Sequence, residues 1–430
     1  MPPRNLVIAF LVIITSVVCY THALRNHYAS LISEAMHIID ERSLEKVSER
    51  ELFISAMNGM VGSLDEHSMF MSDLDYSRFN DRIDQRLVGI GIQVAYDDEH
   101  QHVKVDYPFY DSPAYNAGLR SGDLITEVNG TETFKKNTSD VVTLIKGEVG
   151  EAVKLKVVRL EPPKEFEVEI VREEIKVPSV EGDTRNPDGT WNFVLEEDPR
   201  IGYVRLSQFG KHSYSEMQRV ITSLNGKIDS LIIDLRFNPG GSLDSVIKIC
   251  DMFIESGEIV STKGRDQKVI EAAFATTDLL VPKDVRVVVM VNRHSASASE
   301  ILAACLQDHQ RAIVVGERSY GKGTVQNVIE LESGKSQIKL TTASFWRPSG
   351  RNIHRLKDAT EDKDWGVIPD PGFSIPVDEE EMAKVFRYSR SRTTQKTDDA
   401  SEPVVEPVED RQLRAAVDYL KEQRKSPQAA

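Results

Sequence analysis

Val288-Val-Met-Val-Asn-Arg-His-Ser-Ala-Ser-Ala-Ser-Glu-Ile-Leu302 reads as a buried strand that passes through a loop of small residues directly into a helix. Further apolar runs predict strands at 203–206, 230–235 and 312–315, and amphipathic stretches predict helices at 213–224, 243–255 and 297–307. Alternation of strand and helix predicts a mostly parallel α/β sheet with right-handed crossovers.

Chemistry is expected on the loops that leave those strands. Backbone N–H groups at a helix start are unsatisfied and partly positive, so a serine there has oxyanion donors beside it. Ser297 is the candidate nucleophile, although Ser295, Ser297 and Ser299 also suit N-caps and tight packing. In Gly321-Lys-Gly-Thr-Val-Gln326 the glycines let the backbone bring Lys322 close to another segment, and a lysine shielded from water loses proton affinity and serves as a base. Gln326, four residues on, is placed to orient it. The spacing does not fit a phosphate loop. Asp234-Leu-Arg-Phe-Asn-Pro-Gly-Gly-Ser242 ends a strand in a glycine pair, and Gly240 or Gly241 can aim an N–H at an oxyanion together with Ala298. His294, three positions before Ser297 in the same turn, is poorly placed to serve as its base.

Working outward, residues 27–80 follow a helical period, and Ser48-Glu-Arg-Glu51 has capping-box spacing. From Val88 the period changes to two, short strands follow to about residue 171, and Asn129-Gly130 marks a tight turn. Charged, aromatic-poor sequence at 377–407 predicts a loose linker before a short terminal helix beginning near Asp410. At the other end, Arg4 precedes an apolar run over residues 6–20, and residues 5–24 are just long enough for an uncleaved anchor; an export signal is expected there. The 430 residues carry a net charge of −15, 40% hydrophobic and 28% charged residues. That composition excludes collagen-like and largely disordered chains, and it lacks the basic footprint of a nucleic-acid binder. The cysteines, Cys19, Cys250 and Cys305, are too few and scattered for a disulfide framework.

These blocks together resemble the carboxy-terminal processing proteases, serine endopeptidases with a Ser–Lys mechanism and an embedded PDZ domain. The resemblance rests on residues 295–301, 321–326 and 235–241, with Lys322 standing 25 residues after Ser297. Leu64-Asp-Glu-His-Ser68, residues 112–130, Tyr203-Val-Arg-Leu-Ser-Gln-Phe209, residues 345–351 and Glu409-Asp-Arg-Gln-Leu413 also have counterparts. Phe237 replaces a usual Asn and Glu66 a usual Pro. The resemblance implies a crotonase/ClpP-like α/β protease core at 173–376, an N-terminal helical region at 25–85 and a β-rich PDZ domain at 86–172. It implies Ser297 as nucleophile, Lys322 as general base, Gln326 as its positioner, and Ala298 with Gly240 or Gly241 as the oxyanion hole. It implies no metal or organic cofactor. Gly89-Ile-Gly-Ile92 resembles a carboxylate-binding loop, with the N–H groups of Ile90, Gly91 and Ile92 meeting the apolar C-terminus of a polypeptide. His67 is expected to be structural. The expected enzyme is an exported, membrane-tethered peptidase, with homo-oligomers possible; its rivals are a silent PDZ adaptor that binds C-termini and a tricorn-type Ser–His protease.

Overall fold

The computed structural model describes residues 10–17, 27–72, 75–76, 79–80, 83–276, 279–360, 362–394 and 406–425. The chain divides into two compact units, one formed by residues up to Tyr76 with 326–341, the other by 77–325 with 342–430.

In the smaller unit, helix His27–Arg42 precedes helix Glu49–Gly62. Ser48 and Glu51 form the expected capping box: Ser48 N–H donates to Glu51 Oε2 at 3.0 Å and Glu51 N–H to Ser48 Oγ at 3.2 Å. Strand Met69–Ser72 then pairs antiparallel with residues 336–339. Asp65 organises the approach to that strand, accepting from His67 N–H, Ser68 N–H and Ser68 Oγ at 2.6–2.9 Å. His67 serves this turn through its backbone. The apolar segment expected as an anchor lies mostly outside the described residues, Cys19 included; its residues 10–17 are helical. Among the described residues no helix is long and apolar enough to cross a membrane.

The larger unit is built on four parallel strands in sequential order, β1 (Asp198–Leu206), β2 (Ser230–Asp234), β3 (Arg286–Val291) and β4 (Ala312–Gly316). Helices α1 (Ser213–Leu224), α2 (Leu243–Asp251) and α3 (Ala298–Asp308) link them. Because side chains alternate along a strand, the sheet presents two apolar faces. Val204, Leu231, Val289 and Val314 join the cluster that contains the three helices. Tyr203, Ile232, Val288, Met290 and Val315 meet the terminal helix α4 (Arg411–Lys425) through Ala416, Val417 and Leu420. Ion pairs pin both ends of α4: Arg236 reaches Asp410 at 2.8 Å, and Arg424 reaches Asp198 at 2.6 Å and Asp229 at 2.5 Å.

The larger unit also contains the β-rich module, which precedes these strands in the sequence. Its antiparallel sheet runs in the order Ile92–Asp97, His102–Pro108, Leu124–Val128, Ala152–Arg159, Lys164–Val171. Asn129 and Gly130 both adopt positive φ, +49° and +82°, and make the tight turn their sequence predicts. The chain enters and leaves the module through paired antiparallel strands, Arg86–Gly89 against Glu173–Lys176.

Residues 379–394 correct one expectation. The sequence reads as loose linker, yet Glu379–Thr394 is a 16-residue helix. Two of its arginines are paired with carboxylates rather than left to water: Arg390 meets Glu181 at 2.8 Å and Arg392 meets Asp183 at 3.0 Å. Residues 395–405 lie outside the described residues.

Leu420 is fully buried under the sheet. Leu420→Ala is expected to lower stability by about 2–5 kcal/mol, measured as a shift in urea midpoint at unchanged slope.

Candidate active site

Three serines stand at the turn from β3 into α3, and their hydroxyls have different partners. Ser295 Oγ donates to Leu235 O at 2.9 Å, and Ser299 Oγ to Asn238 O at 2.9 Å. Both tie this turn to the loop after β2. Ser297 stands between them, half-buried, at φ +57° and ψ −115°. Such backbone costs on the order of 1–3 kcal/mol for a non-glycine residue and persists only where its surroundings hold it. Here Ala296 N–H donates to Asn238 O at 3.0 Å and Ser297 N–H to Glu300 Oε2 at 2.8 Å. The N–H of Ala298, first residue of α3, has no hydrogen-bond partner among the described residues.

Glu300 is the residue that sequence reasoning missed. It is fully buried and accepts four hydrogen bonds: Oε1 from Ser319 Oγ and Gly321 N–H, both at 2.6 Å, and Oε2 from Ser297 N–H and Lys322 N–H, both at 2.8 Å. One carboxylate oxygen therefore holds the backbones of Ser297 and Lys322 within two hydrogen-bond lengths of each other. Burial pushes the Glu300 carboxyl up to about 7, against the four donors, which favour its anion. The signal was in the sequence: Ser297-x-x-Glu300 has capping-box spacing.

The glycines around Lys322 are there for close approach. A Cβ at Gly321 would stand 2.7 Å from Arg355 Cβ, and one at Gly323 would stand 2.3 Å from His354 N. Backbone bonds from Arg355 N–H to Gly321 O and from Phe345 N–H to Gly323 O, each 2.8 Å, fix the loop on that wall.

The loop after β2 meets the Ser297 turn at Gly240, whose added Cβ would lie 2.8 Å from Ser297 Cβ and 2.9 Å from Ala298 N. Gly240 N–H donates to Asn238 Oδ1 at 2.8 Å, so in this conformation it is turned to its own loop. Gly241, at φ +144°, is required by Phe209 O, which a Cβ would approach to 2.1 Å. Beneath the loop, Tyr203 Oη donates to Asp234 Oδ2 at 2.8 Å and Arg236 pairs with the same carboxylate at 2.8 Å. Burial drives the Asp234 carboxyl upward, but the Arg236 guanidinium holds it below the usual carboxylate range. His294 is exposed and stacks on Phe237 with ring centroids 5.4 Å apart. Gln326 belongs to the other unit, where its amide donates to Thr341 Oγ1 at 3.3 Å.

Comparison with known proteins places this arrangement. The Peptidase family S41 profile matches residues 200–370 and the PDZ domain profile residues 110–159. The Carboxy-terminal-processing protease of Bartonella bacilliformis is 36% identical over 338 residues, covering 77% of this chain and 71% of that one. The chain belongs to the carboxy-terminal processing proteases. Carboxy-terminal processing protease CtpB of Bacillus subtilis is 33% identical, with 77% of this chain and 66% of that protein covered. An S41 protease structure from Bacteroides fragilis shares the fold at TM-score 0.51 and 15% identity, over 84% of this chain and 88% of that one. This carboxy-terminal processing protease is therefore a serine-type endopeptidase, an S41 domain carrying a PDZ domain.

The raised Glu300 carboxyl has a measurable sign. A carboxyl whose folded pKa exceeds its unfolded value adds most stability when protonated in both states, and that contribution is lost as pH rises from the unfolded to the folded pKa. Relative to Glu300→Gln, wild-type stability should fall by about 3 kcal/mol between pH 4.5 and 7, with no further change above. Denaturant titrations of both proteins across that range check it.

Proposed function

We propose that this endopeptidase cleaves polypeptides at Ser297, with Lys322 as general base, after its PDZ domain has taken hold of the substrate's C-terminus. The observation that carries the assignment is the shared Glu300 oxygen, which ties the two backbones together at the start of a helix. Neutral Lys322 removes the Ser297 hydroxyl proton, and Oγ attacks the substrate carbonyl carbon. The oxyanion is received by Ala298 N–H and by the Gly240-Gly241 loop, where Gly241 is the donor not already turned to Asn238. Collapse expels the new amine, which takes the proton from Lys322; water then hydrolyses the acyl-enzyme through the same base. Gln326 is assigned the orientation of Lys322, on the four-residue spacing of its motif.

Substrate capture follows from the PDZ sheet. Strand Ile92–Asp97 is at its edge, so an incoming peptide can pair with it, and helix Thr138–Ile145 forms the other wall. Ile92, Val94 and Leu144 are half-buried apolar residues of that region, which suits an apolar C-terminal side chain. Gly91, at φ +79°, closes the loop before the strand: its carbonyl accepts from Phe109 N–H at 2.9 Å and Ser112 Oγ at 3.0 Å. The N–H groups of Ile90, Gly91 and Ile92, following Gly89, are assigned to the peptide carboxylate. The apolar run behind Arg4 supports export with a membrane tether, and fractionation of the full chain against one starting at residue 25 tests that placement.

Against an unstructured protein with an apolar C-terminus, intact-mass analysis should show cleavage by wild type and none by Ser297→Ala or Lys322→Ala. Amidation of the substrate's C-terminus should raise KM about tenfold or more with kcat retained. Uncleaved substrate with wild type, alongside retained tail binding, would instead support an adaptor.

A further inference from the structure

Phe237 has backbone that its side chain does not favour. Its φ is +63°, in the left-handed region, where a bulky L residue stays only if neighbours hold it. The N–H groups of Phe237 and His294 both donate to Asn292 Oδ1, each at 3.1 Å. The Phe237 ring lies between His294, stacked at 5.4 Å and 12°, and Phe386, tilted at 5.0 Å and 57°. What Phe237 does with its backbone decides where Asn238 goes. Asn238 is fully buried, and its carbonyl accepts from Ala296 N–H and Ser299 Oγ, the residues on either side of Ser297.

Phe386 comes from helix Glu379–Thr394, which runs along the same turn. Arg293 reaches Glu379 at 3.1 Å, and one turn on Asn292 Nδ2 donates to Met382 Sδ at 3.5 Å. Beyond Phe386, the guanidinium of Arg390 stands 5.4 Å from the Phe386 ring and 5.2 Å from the ring of Tyr107 in the PDZ domain. A second stack lies beside it: Arg185 is 3.8 Å from the Trp191 ring in the core and 4.2 Å from Tyr110 in the PDZ domain. One helix thus touches the turn before the nucleophile, the loop before the glycine pair and the face on which the PDZ domain docks.

We propose that Phe386 is a positioning residue that clamps Phe237 in left-handed backbone and so holds the 238–241 loop against Ser297, and that Arg390 and Tyr107 extend this clamp to the PDZ domain. The inference rests on Ser297 being the nucleophile. A phenylalanine at this φ needs the clamp, whereas asparagine adopts left-handed backbone readily. That difference supplies the test.

The full chain is assayed for kcat and KM on the unstructured substrate, with Ser297→Ala as control. Phe386→Ala should lower kcat about tenfold with KM within about twofold, and Phe386→Tyr, which keeps the ring, should stay near wild type. In a Phe237→Asn background, Phe386→Ala should bring no further loss of kcat. Tyr107→Ala should lower kcat in wild type and have no effect beside Phe386→Ala. A Phe386→Ala loss that persists in the Phe237→Asn background, or one confined to KM, overturns the clamp and leaves the serine assignment intact. Activity that survives Ser297→Ala overturns the serine assignment itself.

Discussion

A buried carboxylate has to be surrounded by donors, and at Glu300 those donors come from the turn at Ser297 and the loop at residues 319–322. Its position follows from the strained turn at Ser297, which starts α3 and points the third residue of the helix back at the turn. The lysine loop then has to pass within hydrogen-bond range of the same side chain. That requirement explains why residues 321 and 323 have no Cβ, since Arg355 and His354 press on the loop from its other side. A surface pair would give a floppier registration; here low dielectric makes each missing bond expensive, so the arrangement is held as a unit.

The chain closes on itself with arginines. Arg236, Arg390, Arg392 and Arg424 each bond a carboxylate distant in sequence, and three of them bring the segment after residue 377 onto sequence laid down more than 200 residues earlier. The planar guanidinium suits this purpose because its fork fixes orientation as well as distance. Asp234-Leu-Arg236 shows the economy of the scheme: one buried pair supports the loop above it and anchors α4 through Asp410.

Much of this was legible in the sequence because the core strands are short apolar runs and the helices between them are amphipathic, so period alone separates them. Ser48 with Glu51, Asn129 with Gly130 and the three motif blocks were legible for the same local reason. That the Ser295 and Ser299 hydroxyls tie the turn to the loop after β2 was not, since their partners are carbonyls some 60 residues away. Glu300 had its spacing on display but resembles any capping residue until its other three donors are in place. Helix Glu379–Thr394 was misread because composition cannot separate charge that faces water from charge that faces other charge. Strand Glu258–Lys263 escaped notice because its buried run, residues 259–262, is half polar in sequence, and Val269–Phe274 because it is largely exposed.

The strand pair Arg86–Gly89 and Glu173–Lys176 makes the peptide-binding module a cassette. Its two ends leave the host side by side, so the host meets them as it would the ends of a hairpin, and the closure entropy of the intervening chain grows only with the logarithm of its length. A different recognition module of similar span, joined at the same neck, leaves the catalytic architecture with the same loop to close. Evolution can therefore change what the protease recognises without rebuilding how it cuts.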